Sequence, residues 1–192
     1  MKYEVYIYTD ICHEYRKIIE MTTESVSLSN PIFDKICNHI ANSYPNSCVL
    51  WIDKVVNDTL LARYNSKKEM MQEKYPDEFQ ELELFHGTNE HAIASIVNDG
   101  FKSDLNVRSV YGKGNYFAKF ASYSKLFMIS NREITFMFLC DVLVGKKKLS
   151  SQILGACECY VNNLENPDIF AIPEDDAIYP QYVIAFHKNA PS

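Results

Sequence analysis

Two short segments hold residue types that could do chemistry together. In Leu84-Phe85-His86-Gly87-Thr88 a histidine closes a strand-like run and a glycine follows it. The second segment is Tyr111-Gly112-Lys113-Gly114-Asn115-Tyr116-Phe117-Ala118. An imidazole changes its charge near neutral pH and can give or take a hydrogen bond. Tyrosine and phenylalanine rings stack on flat ligands. Each segment also has a plain structural reading. A strand-end histidine can simply be satisfied by its neighbours, and Gly-x-Gly beside aromatics makes a tight turn into a core strand. The second segment is not a dinucleotide fingerprint, because the third glycine of G-x-G-x-x-G is absent and no long helix follows.

The elements that must position these segments follow from periodicity and capping. Residues 3–8 alternate and predict a strand. Residues 29–44 predict a helix, capped by Ser29 or Asn30, with Pro31 in the first turn and Ile32, Ile36 and Ile40 at helical spacing. Residues 47–56 predict a buried strand. Residues 66–74 predict a short polar helix ended near Pro76. A strand over 82–86 is expected to stop at Gly87. Asn89 can cap a helix over 90–98, which Asp99-Gly100 ends. Residues 101–113 read as a loop, 114–118 as a strand and 122–130 as a helix. Residues 132–144 predict the longest strand, with Ile134, Phe136, Phe138 and Val142 mostly on one face. Strands over 168–172 and 179–187 flank the acidic turn Pro173-Glu174-Asp175-Asp176. Helices lie early and strands late, which indicates an α+β fold.

The chain has 192 residues, the size of one large domain. Its composition is 47% hydrophobic and 23% charged, enough apolar surface to build a core. Thirteen tyrosines and eleven phenylalanines favour strands. The net charge of −6 leaves no electrostatic footprint for nucleic acid, and Lys146-Lys147-Lys148 reads as a solvated turn. Cys12, Cys37, Cys48, Cys140, Cys157 and Cys159 show no paired zinc spacing, so no metal is expected and reduced thiols are the simpler reading. No leader is recognised at Met1-Lys2-Tyr3, and no apolar run approaches the ~20 residues that cross a bilayer. An intracellular protein, cytoplasmic or nuclear and without a membrane partner, is the resulting expectation.

Taken together, in this order and spacing, the two segments resemble the catalytic domain of the poly(ADP-ribose) polymerase family. That family carries a His-Gly-Ser/Thr strand and, about thirty residues later, Tyr-Gly-x-Gly-x-Tyr-Phe-Ala. Ser122-Tyr123-Ser124 stands at the place of the family's serine, and Tyr179-Pro180-Gln181-Tyr182-Val183-Ile184 resembles a terminal strand. Cys48-Val49-Leu50-Trp51 and the helix around Lys68–Met71 also fit. The resemblance covers roughly residues 30–188 of a single catalytic domain over 1–192, most strongly 84–188. It leaves no room upstream for a regulatory helical domain. It implies two packed, mainly antiparallel β-sheets with flanking helices and an NAD cleft between them.

The resemblance also implies roles. Breaking the bond between nicotinamide and ribose develops positive charge on the ribose, so the site must grip the base and orient the sugar. His86 would hydrogen-bond a ribose hydroxyl. The backbone of Gly87 and the hydroxyl of Ser124 would hold the carboxamide, and Tyr116 would stack on the nicotinamide. Phe127 falls where the family usually has a second tyrosine; it keeps the stack and loses the hydroxyl. Thr88, Phe117 and Ala118 belong to the same NAD-binding motifs. Tyr111 would border the adenosine half, with Lys102, Ser103 and Arg108 as candidates for ribose or phosphate.

One further position separates chain-building from single transfer. Polymerising members carry a glutamate on the strand before the last one. Gln181 is a tempting match, but its segment matches the last strand. In Asn166-Pro167-Asp168-Ile169-Phe170-Ala171 the position falls on Ile169, whereas a slip of one residue would place Asp168 there. A His86, Tyr116, Ile169 set resembles the mono-ADP-ribosyltransferase branch. Isoleucine cannot stabilise a cation, so an acidic protein acceptor is implied, with self-modification as a side reaction. A silent NAD-binding module and transfer to nucleic-acid ends remain as other readings. Nucleic acid is disfavoured by the charge.

Overall fold

The computed structural model describes Lys17, Ile19 and residues 22–105, 110–149 and 158–188. The expected strand at 3–8, together with Cys12, Arg108 and Cys157, lies outside the described residues. The strands are β1 (Thr23–Ser25), β2 (Val49–Val55), β3 (Gln80–Thr88), β4 (Asn115–Ala118), β5 (Ile134–Val144), β6 (Lys147–Leu149), β7 (Cys159–Val161), β8 (Ile169–Ile172) and β9 (Ile178–His187). The helices are α1 (Pro31–Ala41), α2 (Asp58–Lys74), α3 (Ile93–Asp99) and α4 (Ala121–Ser124).

Among the described residues the strands form one ladder in the order β1-β2-β9-β5-β3-β4-β8-β7-β6. All its pairings are antiparallel except β6 with β7. The two arms of the ladder meet at a single pair, Phe85↔Ala118. They fold onto one another, because Phe136, Phe138 and Val142 of β5 share a core with Phe117 of β4 and Phe170 and Ile172 of β8. The expected pair of packed sheets thus takes the form of two arms of one ladder with a seam between them. The α+β architecture with flanking helices holds.

The long strand β5 is buried on both faces rather than on one. Its alternate residues Met137 and Leu139 pack with Phe85 against Ile36 and Ile40 of α1. Asn30 caps that helix by accepting from the Ile32 amide at 3.0 Å. Ile32 itself is exposed, so the apolar stripe of α1 is narrower than its spacing suggests.

Three boundaries move. α2 starts at Asp58 rather than at residue 66, because Asn57 caps it and also donates to the carbonyls of Val97 and Asn98. The strand expected to stop at Gly87 continues to Thr88, since Gly87 stays in register with Met137 of β5. The helix expected over 122–130 is a single turn, α4, followed by a 3₁₀ turn at Lys125–Phe127.

Candidate active site

The site builds up where the seam opens. β4 covers the edge of β3 only at Phe85, so His86, Gly87 and Thr88 run on without a β4 partner. The segment 121–127 approaches this edge instead. Ser124 is buried, and its hydroxyl donates to the Phe85 carbonyl at 2.9 Å. A Cβ on Gly87 would lie 1.8 Å from the Ser124 carbonyl oxygen and 3.2 Å from the Phe127 Cβ. Glycine is therefore required by close approach of two backbones rather than by an unusual φ. At Gly114, beside β8, both reasons apply: its φ is +157°, and a Cβ would meet the Ile172 backbone at 2.6 Å.

His86 is held from three sides. Its Nδ1 lies 2.7 Å from the Tyr116 carbonyl. A carbonyl only accepts, so Nδ1 carries the proton and Nε2 is left as an acceptor. Phe101 meets the imidazole edge-on, with centroids 5.0 Å apart, and Phe117 lies 5.3 Å away. Burial against these rings pushes its pKa down to about 4, against the opposing pull of the Tyr116 carbonyl. The imidazole is neutral at physiological pH.

Tyr116 commits its hydroxyl to the neighbouring turn. It donates to the Gly112 carbonyl at 2.7 Å and accepts from the Tyr111 amide at 2.9 Å. What it offers to a ligand is its half-buried ring, with Tyr111 inclined beside it at 6.5 Å. Tyr123 and Phe127 lie 5.5 Å apart. Burial first, and then the charges that Tyr111 and Tyr116 would carry, push the Tyr123 pKa up.

The β4–β8 register pairs Tyr116 with Ala171 and Ala118 with Ile169. Cross-strand partners lie on one face, so Ile169 shares a face with Tyr116, and Asp168 falls out of that alternation. Asn162 fixes the start of β8, since its side-chain oxygen accepts from the amides of Asp168 and Ile169 at 3.0 Å each. Gln181 lies far from this face. It lines a cavity of about 100 Å³ with Ile36, His39 and Leu139, between α1 and the sheet.

Several expected site residues have other contacts. The Phe117 side chain is turned into the core, where it packs on His86 and Phe101, so it supports the site rather than facing a ligand. Ala118 and Thr88 are buried within the ladder. Lys102 pairs with Asp99 at 2.9 Å. Ser103 is buried, and its amide donates to Asp175, which also accepts from Asn115. Three contributors escaped the sequence reading: Phe101, Tyr123 and Asn162. Only Asn162 had a local signal, an Asn pair in a turn just before a strand. Among the described residues no group of three His, Cys, Asp or Glu side chains is arranged to hold a metal.

The model of the poly(ADP-ribose) polymerase catalytic domain matches residues 33–158. This chain belongs to that family. Members of the family use NAD as co-substrate. Protein mono-ADP-ribosyltransferase PARP12 of Homo sapiens is 32% identical over 185 residues, covering 86% of this chain and 26% of its own length. PARP14 of Homo sapiens, also a protein mono-ADP-ribosyltransferase, is 26% identical over 79% of this chain and 10% of its own. The mono-ADP-ribosyltransferase PARP10 of Mus musculus is 29% identical over 74% of this chain and 17% of its own. The chain therefore spans about a quarter of the length of the PARP12 relatives.

Proposed function

We propose that this chain is an NAD-dependent mono-ADP-ribosyltransferase that moves one ADP-ribose unit to protein carboxylates. The observation that carries the reading is the neutral His86 beside a close approach of two backbones that only Gly87 permits. Nε2 of His86 accepts a hydrogen bond from a ribose hydroxyl. The Gly87 backbone and the Ser124 hydroxyl, released from the Phe85 carbonyl, hold the carboxamide of the base. Tyr116 and Phe127 stack on its two faces, and Tyr111 borders the adenosine half.

Cleavage breaks the bond between the ribose C1′ and the nicotinamide nitrogen. Its electron pair leaves with neutral nicotinamide. A carboxylate oxygen of the acceptor forms the new bond to C1′. Ile169, on the face of Tyr116, offers no carboxylate to steady the sugar cation or to prepare the hydroxyl of a growing chain. The acceptor must bring its own charge, and transfer stops after one unit. The names of the PARP12, PARP14 and PARP10 relatives support the single-transfer reading.

Incubation with labelled NAD and an acidic protein, resolved on a gel, tests this. A discrete labelled band that His86→Ala abolishes is expected. A high smear refutes single transfer. NAD binding without any label refutes transfer and leaves a binding module.

A further inference from the structure

The segment from Lys119 to Ile129 runs past the open edge of β3, where Ser124 and the Phe127 Cβ approach Gly87. Three of its other large side chains are open to solvent. Phe120, Leu126 and Ile129 are 42%, 67% and 65% exposed. Among the described residues, Lys119 and Lys125 have no carboxylate partner. The Lys119 ammonium lies 5.7 Å from the Phe120 ring centroid, and the Lys125 ammonium 4.4 Å from that of Tyr44. Large apolar side chains exposed within one short segment are the raw material of a contact surface. Lys119 and Lys125 add two cations without a carboxylate partner to the same segment, in a chain whose net charge is −6.

We infer that the exposed side chains of this segment dock the protein acceptor, and that they select an extended stretch carrying several acids and an apolar side chain. The inference rests on the transferase reading, since an acceptor must bring its carboxylate to the site that this segment borders. Lys119 and Lys125 attract flanking acids of the acceptor, while Phe120, Leu126 and Ile129 take the apolar residue. The segment is tied to the fold at both ends. The Lys119 amide donates to the Asp168 carbonyl at 2.9 Å, and Ile129 bridges to Asn89. A segment docked here lies along a fixed edge of the site. Oppositely charged surfaces of this kind tune encounter and partner choice more than raw affinity, and salt weakens them.

The test uses a fluorescent peptide of alternating Glu and Leu and a matched peptide in which Lys replaces the flanking Glu. Binding is read by anisotropy, which requires no transfer, and NAD cleavage to free ADP-ribose is read in parallel. The acidic peptide is expected to bind at least about tenfold more tightly than the Lys peptide. Lys119→Glu with Lys125→Glu, and separately Leu126→Asp, should each weaken it about tenfold while NAD cleavage stays within about twofold of the parent. These side chains are exposed, so an unchanged melting temperature confirms that the variants fold. Equal binding of both peptides, or unchanged binding to the variants, overturns the inference, as does labelling of added RNA in place of the peptide. Failure of NAD cleavage in the parent chain with selective peptide binding intact would instead overturn the transferase reading and leave the docking surface standing.

Discussion

Gly87→Ala is the sharpest perturbation the structure offers. The new Cβ would sit 1.8 Å from the Ser124 carbonyl oxygen, where ordinary contact begins at 3.4 Å. Relief therefore needs a separation of roughly 1.5 Å, well beyond the few tenths of an ångström a side chain can yield. β3 cannot supply it easily, because residues 80–88 are all in register with β5. The segment carrying Ser124 and Phe127 must move instead, taking the serine hydroxyl off the Phe85 carbonyl. Overpacking of this kind costs about 1–3 kcal/mol, a shift of a few degrees in melting temperature for a domain this size. The site suffers more than the fold, because a misplacement of about 1 Å can cost around a hundredfold in rate. NAD cleavage by Gly87→Ala should fall at least about a hundredfold, while the melting temperature drops by only a few degrees. Activity within about threefold of the parent would refute the argument that this backbone approach builds the site.

The pH dependence follows from His86. Its folded pKa is depressed from 6.5 to about 4, so the unfolded chain binds the proton first, and this group removes stability as pH falls through that window. The difference amounts to at most about 3 kcal/mol at pH 4. Global stability is a blurred readout, since burial and the neighbouring Glu81 and Glu83 raise Asp141 to about 6 and act in the opposite sense. An NMR titration of the imidazole is direct: it should show the neutral form, protonated at Nδ1, down to about pH 4, and Phe101→Ala should move the midpoint up toward 6.5. A midpoint near 6.5 in the parent chain would contradict the desolvation argument. Asn162→Ala removes an acceptor shared by two amides, worth about 1–3 kcal/mol. It should lower the melting temperature by several degrees and reduce NAD cleavage further than that loss of folded protein explains, because β8 and Ile169 lose their anchor. An unchanged rate would show that the ladder alone fixes Ile169.

Much of this site was legible in one dimension. The glycines, the histidine and the aromatic pair sit in two continuous segments, because a strand and a tight turn are local structures with local rules. The caps at Asn30 and Asn89 were legible for the same reason. What escaped was long-range. Phe101 had no reason to stand out in a loop until the fold laid it edge-on against a histidine fifteen residues earlier in the chain. The start of α2 depended on Asn57 reaching the end of α3.

The sequence by itself determined which chemical groups were available and, through their spacing, the family to which they belong. The tertiary structure alone decided their state. His86 is neutral because rings from α3's exit and from β4 close around it. Gly87 is indispensable because Ser124 arrives within 1.8 Å of where a Cβ would stand. Ile169 rather than Asp168 shares the face of Tyr116 because a pairing register, fixed by Asn162 and β4, selects one of two neighbouring residues. Desolvation, close approach and register are each set by what two distant segments do to one another, and no local pattern encodes them.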